Sequence, residues 1–316
     1  MRPQDRSLAR QLDSELRAFD RQNRPLPGIN VPANRDAFLE QLIESIRRIK
    51  YISVIDARNL SDLRLDGSSD FFDPLKAAVL RKRQGQIDEA FWLVFLSVHF
   101  GKNRRTGWRL ARDIYGRLGG RVAWNWARTS SDPKGFRRWL AAHQVTLRGN
   151  GISRYFGNHR KYESLDASSA NGTGAAVESY VNWVRPFRTH ERLVREAQQR
   201  VGGDPRKTFD YLYRSMDAVT RFGRTARFDY LTMVGKLGLA AIEPGSTYMQ
   251  AATGPLKGAL LLFGGGVTAA LSCSNLDACL VQLEAELSVG MQGMQVLEDA
   301  LCNWQKSPGH FEPFRS

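Results

Sequence analysis

The chain has 316 residues, 42% of them hydrophobic, enough for one large domain or two smaller ones, and it holds no apolar run of 18 residues that would cross a membrane. Three cysteines, Cys273, Cys279 and Cys302, with no CxxC spacing disfavour a disulfide framework and fit reduced thiols in the cytoplasm. The net charge is +14 and 36 of the 46 basic residues are arginine. That bias suits a polyanion, because a guanidinium pairs bidentately with phosphate; a GC-rich genome produces the same bias without function.

Residues 1–33 are polar, arginine-rich and punctuated by Pro25, Pro27 and Pro32, with no secretory signal. They read as a basic, flexible or partly helical arm. A helix is predicted from Asn34 or Asp36, since Phe38, Leu39, Leu42, Ile43, Ile46 and Ile49 follow helical spacing. The stretch 51–70 is ambiguous: Tyr51–Ile55 fits either a short strand or the end of that helix, and Asp66-Gly-Ser-Ser marks a turn. Asp73-Pro74 predicts a helix start, with proline at the first helical position, and an end near Gly85. The next helix, from Asp88 to Phe100, is apolar around much of its circumference and so is buried. Lys102, Arg104 and Arg105 follow it, suited to DNA backbone phosphates or to the helix dipole.

Helical spacing continues from Trp108 to Leu118, and Trp124, Trp126 and Trp139 follow as core residues or as platforms for an extruded base. Phe136–Leu140 reads as a short basic helix. Ser168–Ala176 is small and reads as a mobile lid or a linker. Helices are predicted over 177–183 and 189–201, and Asp204-Pro205 starts another. Arg221, Arg224 and Arg227 share a face if that stretch is helical. Two last helices span roughly 275–288 and 292–305. Period-2 segments are almost absent, so the expected architecture is all-α: the arm over 1–33 and one two-lobed helical catalytic domain over 34–316.

One stretch fits neither period. Phe156-Gly-Asn-His-Arg-Lys-Tyr-Glu-Ser-Leu165 places six polar or ionisable residues together between two hydrophobic ones. Such a run serves a phosphate-handling site or a solvated turn. There is no P-loop, since Arg206 stands where Gly202–Thr208 would need glycine. No HExxH, GxSxG or zinc spacing occurs, and the cysteines lack a fourth partner for an iron–sulfur cluster.

The 156–165 stretch resembles the signature of the α-glutamyl/putrescinyl thymine pyrophosphorylases, relatives of amino acid:DNA transferases and of the helical domain of 5-hydroxymethyl-deoxyuridine DNA kinases. Leu96–Gly101, Phe222–Leu231, Ile242–Tyr248, Ala252–Pro255 and Leu297–Trp304 resemble further motifs in the expected order. The resemblance implies a helical fold like that of helix-hairpin-helix DNA glycosylases. It also implies a reaction found in phages and mobile elements: an amino acid or polyamine displaces pyrophosphate from 5-pyrophosphoryloxymethyl-deoxyuridine in DNA. The base would flip into a pocket.

On that resemblance His159, Glu163 or Asp229 is the expected base. Arg160, Lys161, Arg224 and Lys257 are expected to hold pyrophosphate and an amino acid carboxylate. Asn158 and Tyr162 are expected at the pyrimidine edge, Glu243 and Tyr248 at the amine site. Glu298 is expected as a catalytic group or a buried partner of an arginine. No cofactor is implied; magnesium held by carboxylates and a substrate phosphate stays open.

Overall fold

The computed structural model describes residues 2–313, and every regular element among them is helical. In chain order they are α1 (Arg6–Gln22), α2 (Pro32–Ala57), α3 (Pro74–Arg83), α4 (Ile87–Phe100), α5 (Arg109–Tyr115), α6 (Trp126–Ser131) and α7 (Pro133–Arg148). Then come α8 (Thr173–Val184), α9 (His190–Arg200), α10 (Pro205–Ser215), α11 (Arg224–Lys236), α12 (Gly254–Gly264), α13 (Cys273–Glu286) and α14 (Gly293–Trp304). Among the described residues there is no strand; the stretch from Tyr51, open between strand and helix, continues α2 to Ala57. The chain divides into two compact units: residues up to Ser53 with those from Glu243 onward, and residues 54–242.

The first unit is built on α1, most of α2 and α12 to α14. The segment expected as a flexible or partly helical arm carries the helix α1, which buries Ala9, Leu12, Leu16 and Phe19 in this unit's core. Those four recur at three- and four-residue spacing, which places them on one face of a helix. The exposed arginines between them make the segment polar as a whole and so hide the stripe from a compositional reading. Phe38 of α2 packs on Trp304 of α14 with ring centroids 5.0 Å apart. The indole N–H of Trp304 donates to the carbonyls of Asn34 and Pro308 at 3.1 and 3.0 Å. Gly258 of α12 lies so close to α14 that a Cβ there would stand 2.3 Å from the Leu301 carbonyl oxygen, so only glycine permits this approach.

The second unit is arranged around α4. Every residue from Glu89 to Phe100 is buried, as the apolar circumference predicts. Trp124, Trp126 and Trp139, left open between core and base platform, are buried too. Asp73 caps α3 by accepting from the Leu75 and Lys76 amides, both at 3.2 Å. Asp73→Ala leaves these two donors without that acceptor, and a denaturant midpoint should report a loss of about 1 kcal/mol. An unchanged midpoint would show that water replaces the cap at no cost.

A buried polar chain crosses this unit. His190 Nδ1 meets Asp88 at 2.6 Å, its Nε2 meets the Tyr180 hydroxyl at 2.7 Å, and that hydroxyl meets Tyr230 at 2.8 Å. Burial lowers the pKa of His190, against the opposing pull of Asp88. The sequence expectation and the structure part in two further places. Ser168–Ala176 is not wholly a lid or linker: Thr173 opens α8 with no exposed surface. A Cβ on Gly172 or Gly174 would collide with the Asp166 or Ala167 carbonyl, so the backbones are in direct contact. The helix expected to continue to Leu118 stops at Tyr115, where Arg117 and Leu118 take positive φ.

Candidate functional site

The polar stretch begins where α4 ends. The amide of Gly157 donates to the Phe100 carbonyl at 2.8 Å, and the Asn103 side chain donates to the Phe156 carbonyl at 2.9 Å. Gly101 sits at φ +65°, in the left-handed region that favours glycine. A Cβ on Gly157 would fall 2.8 Å from the Gly101 carbonyl carbon, so both positions need glycine for the two segments to touch. Asn103 also accepts from the amides of Arg105 and Thr106, closing a tight loop. Lys102, Arg104 and Arg105 are exposed on that loop, and it is tied to the polar stretch through Asn103.

Asn158, His159 and Arg160 form a single 3-10 turn. The turn gives its residues different fates. Arg160 is buried while Asn158, His159 and Lys161 face solvent. The Arg160 guanidinium donates through Nε to the Val98 carbonyl at 2.8 Å and through Nη2 to Asp229 at 3.1 Å. The planar fork therefore has a fixed orientation, with one edge anchored to α4 and α11. Lys161 lies over the Tyr162 ring, 5.0 Å from its centroid, and Tyr162 is 80% exposed.

Glu163 is held differently from Asp229. Arg221 donates to both of its oxygens, at 2.8 and 3.3 Å, and also to the Tyr162 carbonyl at 3.2 Å. A carboxylate gripped by both arms of a guanidinium is a structural tie, so Glu163 is poorly placed to accept a proton from a substrate. Asp229 keeps 45% of its side chain exposed beside Arg160. Of the expected bases, it combines solvent access with a fixed position. His159 is exposed on the turn.

The face that Arg221, Arg224 and Arg227 would share if the stretch were helical does not form, because Arg221 lies outside the helix. It precedes α11, at φ +67°. That backbone reversal turns its side chain back onto Glu163. Arg224 begins α11 and is buried, its guanidinium 5.0 Å from the Phe228 ring centroid. Gly223 caps α11 with no side chain, so this helix start offers backbone N–H groups and a partial positive charge.

Behind the turn lies His99, buried in the last turn of α4. Its ring lies nearly parallel to those of Phe95 and Phe222, 5.8 and 6.4 Å away, which stack on each other at 4.9 Å. Its Nε2 is 3.0 Å from Thr173 Oγ1, and that hydroxyl donates to the Ser164 carbonyl at 2.7 Å. The threonine has only one proton to give, so the hydrogen lies on His99 Nε2. Burial, together with the charges of Arg160 and Arg221, pushes the His99 pKa down to about 3. The ring is neutral at neutral pH and ties the C-terminal end of the polar stretch to α8.

The second unit thus brings together Asn158 to Glu163, Arg221, Arg224, Asp229 and the basic loop at 102–105. Glu243, Tyr248, Lys257 and Glu298 belong to the first unit. There Lys257 is exposed on α12, and Tyr248 takes φ +51° in a loop that Asp277 organises through Ser246, Thr247 and the Met249 amide. Glu298 is buried on α14. Arg221 and Thr173 were missed in the sequence because their importance lies in partners 58 and 9 residues away, which no periodicity records.

Among the described residues no three His, Cys, Asp or Glu side chains converge as a metal-ligand set, and no helix is long and apolar enough to cross a membrane. Residues 33–316 match the sequence model of a family described as alpha-glutamyl/putrescinyl thymine pyrophosphorylase clade 3. Comparison with curated proteins and with solved structures gives no match.

Proposed function

The chain belongs to the α-glutamyl/putrescinyl thymine pyrophosphorylase family, whose name implies an enzyme of thymine hypermodification, and on that premise we propose that it is an amine:DNA transferase. Its substrate is 5-pyrophosphoryloxymethyl-deoxyuridine in DNA, and its co-substrate an amino acid or a polyamine. The amine nitrogen attacks the exocyclic methylene carbon. The carbon–oxygen bond breaks, pyrophosphate departs with the electron pair, and the proton lost by the nitrogen passes to a base. The observation that carries this reading is the Arg160 guanidinium, buried and oriented by Val98 and Asp229 within a donor-rich turn.

In this reading Arg160 and the exposed Lys161 take the charge that develops on the leaving pyrophosphate, aided by Arg224 and the open start of α11. Asp229 receives the proton, its position set by Arg160 and its solvent access sufficient to pass the proton on. Asn158 and Tyr162, exposed on either side of Arg160, meet the edge of a base rotated out of the duplex. Lys102, Arg104 and Arg105 bind flanking phosphates. The setting is the cytoplasm of a host cell in which a phage or mobile element modifies its DNA.

The test is incubation of the purified protein with DNA carrying the pyrophosphorylated base and a panel of amines, followed by nucleoside mass spectrometry. A nucleoside gaining the mass of one amine and losing pyrophosphate is the expected product. Release of free base would mark a glycosylase instead. Unaltered nucleosides with every amine would reduce the protein to a binding module.

A further inference from the structure

A second cationic feature of the 54–242 unit has no part in the site just described. Arg188, Arg192, Arg195 and Glu196, with Pro186 and Phe187, line a cavity of about 380 Å³. The three arginines are exposed. Among the described residues their guanidinium groups form no hydrogen bond or ion pair. Glu196, the carboxylate in this lining, is already engaged by Arg200, at 2.9 and 3.0 Å. The concavity therefore presents three uncompensated guanidinium groups, a complement to a phosphate oxygen cluster.

The backbone is shaped to hold them there. Arg188 sits at φ +69°, ψ −40°, a conformation that side chains rarely adopt and that persists only where its surroundings impose it. Its amide donates to the Arg185 carbonyl at 3.1 Å, and Thr189 then caps α9 by accepting from the Arg192 amide at 3.2 Å. Arg192 and Arg195 follow on one face of α9, four and seven residues after Arg188.

Its location separates it from the reacting centre. The start of α9 is pinned to the start of α4, where His190 bonds Asp88 and stacks on Phe91 at 4.7 Å. Arg160 is bonded to Val98, near the other end of α4. Ten helical residues separate Asp88 from Val98, roughly 15 Å of rise. We propose that this pocket clamps a backbone phosphodiester of the DNA flanking the modified base. The proposal rests on the DNA-substrate reading above.

Duplex affinity measured across a salt series tests it, using the full chain, a triple Arg188→Gln, Arg192→Gln, Arg195→Gln variant, and a triple Arg→Lys variant at the same positions. The glutamine variant should lose about 0.9 from the slope of log K against log salt, the change expected when one phosphate is no longer neutralised. Its affinity should fall equally on DNA with and without the modified base, and turnover at saturating DNA should be unchanged. The lysine variant should keep the wild-type slope. Far-ultraviolet circular dichroism checks that both variants are folded.

A glutamine variant with the wild-type slope, where wild type itself is steep, overturns the clamp and leaves the DNA reading standing. Calorimetry with inorganic pyrophosphate separates the other source of the same chemistry. Pyrophosphate binding lost in the glutamine variant, with the DNA slope intact, makes the pocket a small-anion site and also overturns the proposal. Wild type without salt-dependent DNA affinity overturns the DNA reading and the clamp with it.

Discussion

Arg160→Ala is expected to lower amine transfer to DNA by at least about a hundredfold, the loss typical of removing one preorganised donor from developing charge. It should also cost about 2 kcal/mol of stability, because it strands the buried Val98 carbonyl and removes one partner of Asp229. The two effects are separable. Lys161→Ala removes an exposed ammonium that lies over the Tyr162 ring and supports no buried group, so it should reduce transfer with the unfolding midpoint unchanged. Single-turnover rates and denaturant midpoints on both variants decide the matter. Wild-type turnover in folded Arg160→Ala would take this guanidinium out of the mechanism. A loss of stability without loss of rate would leave it as a strut between α4 and α11.

Wild-type stability should fall as the pH is lowered from 7 to 5, and His99 should account for about 2 kcal/mol of that fall. The sign follows from the direction of the shift. The folded-state pKa is depressed to about 3 by burial and by Arg160 and Arg221, whereas an unfolded histidine titrates near 6.5. The contribution of the neutral ring is therefore complete above about pH 6.5. It is lost progressively as pH falls toward 3, because the unfolded chain binds a proton that the folded one refuses. At pH 5 the interval is about 1.5 pH units, which corresponds to about 2 kcal/mol. His99→Leu should be less stable than wild type at pH 7 and should lose less between pH 7 and 5. Parallel stability–pH curves for the two proteins would show that His99 does not carry the effect.

The helix starts at Asp73-Pro74 and Asp204-Pro205 were legible because an N-cap acts on amides two and three residues away. The buried α4 was legible for a related reason: a helix apolar around its circumference has nowhere to go but inside. The polar stretch at 156–165 stood out by failing both periods, and the family match over 33–316 gives it a context. What stayed hidden was which of its residues turn inward. Arg160 and Lys161 are adjacent and chemically alike, yet one is buried against Val98 and the other is exposed. A 3-10 turn rotates successive side chains by about a third of a circle, and nothing in two neighbouring cations announces that rotation.

That this chain is helical, basic and built around one donor-rich turn follows from its sequence, because local spacing, caps and charge are properties of neighbouring residues. That Glu163 is tied to Arg221 while Asp229 stays accessible beside Arg160 follows only from the way the chain packs. The same holds for the neutral state of His99 and for the place of α1 in the core. Those outcomes depend on which distant groups share a buried, low-dielectric space. Burial and pairing set the state of an ionisable group, and both are made by contacts between residues far apart in the chain.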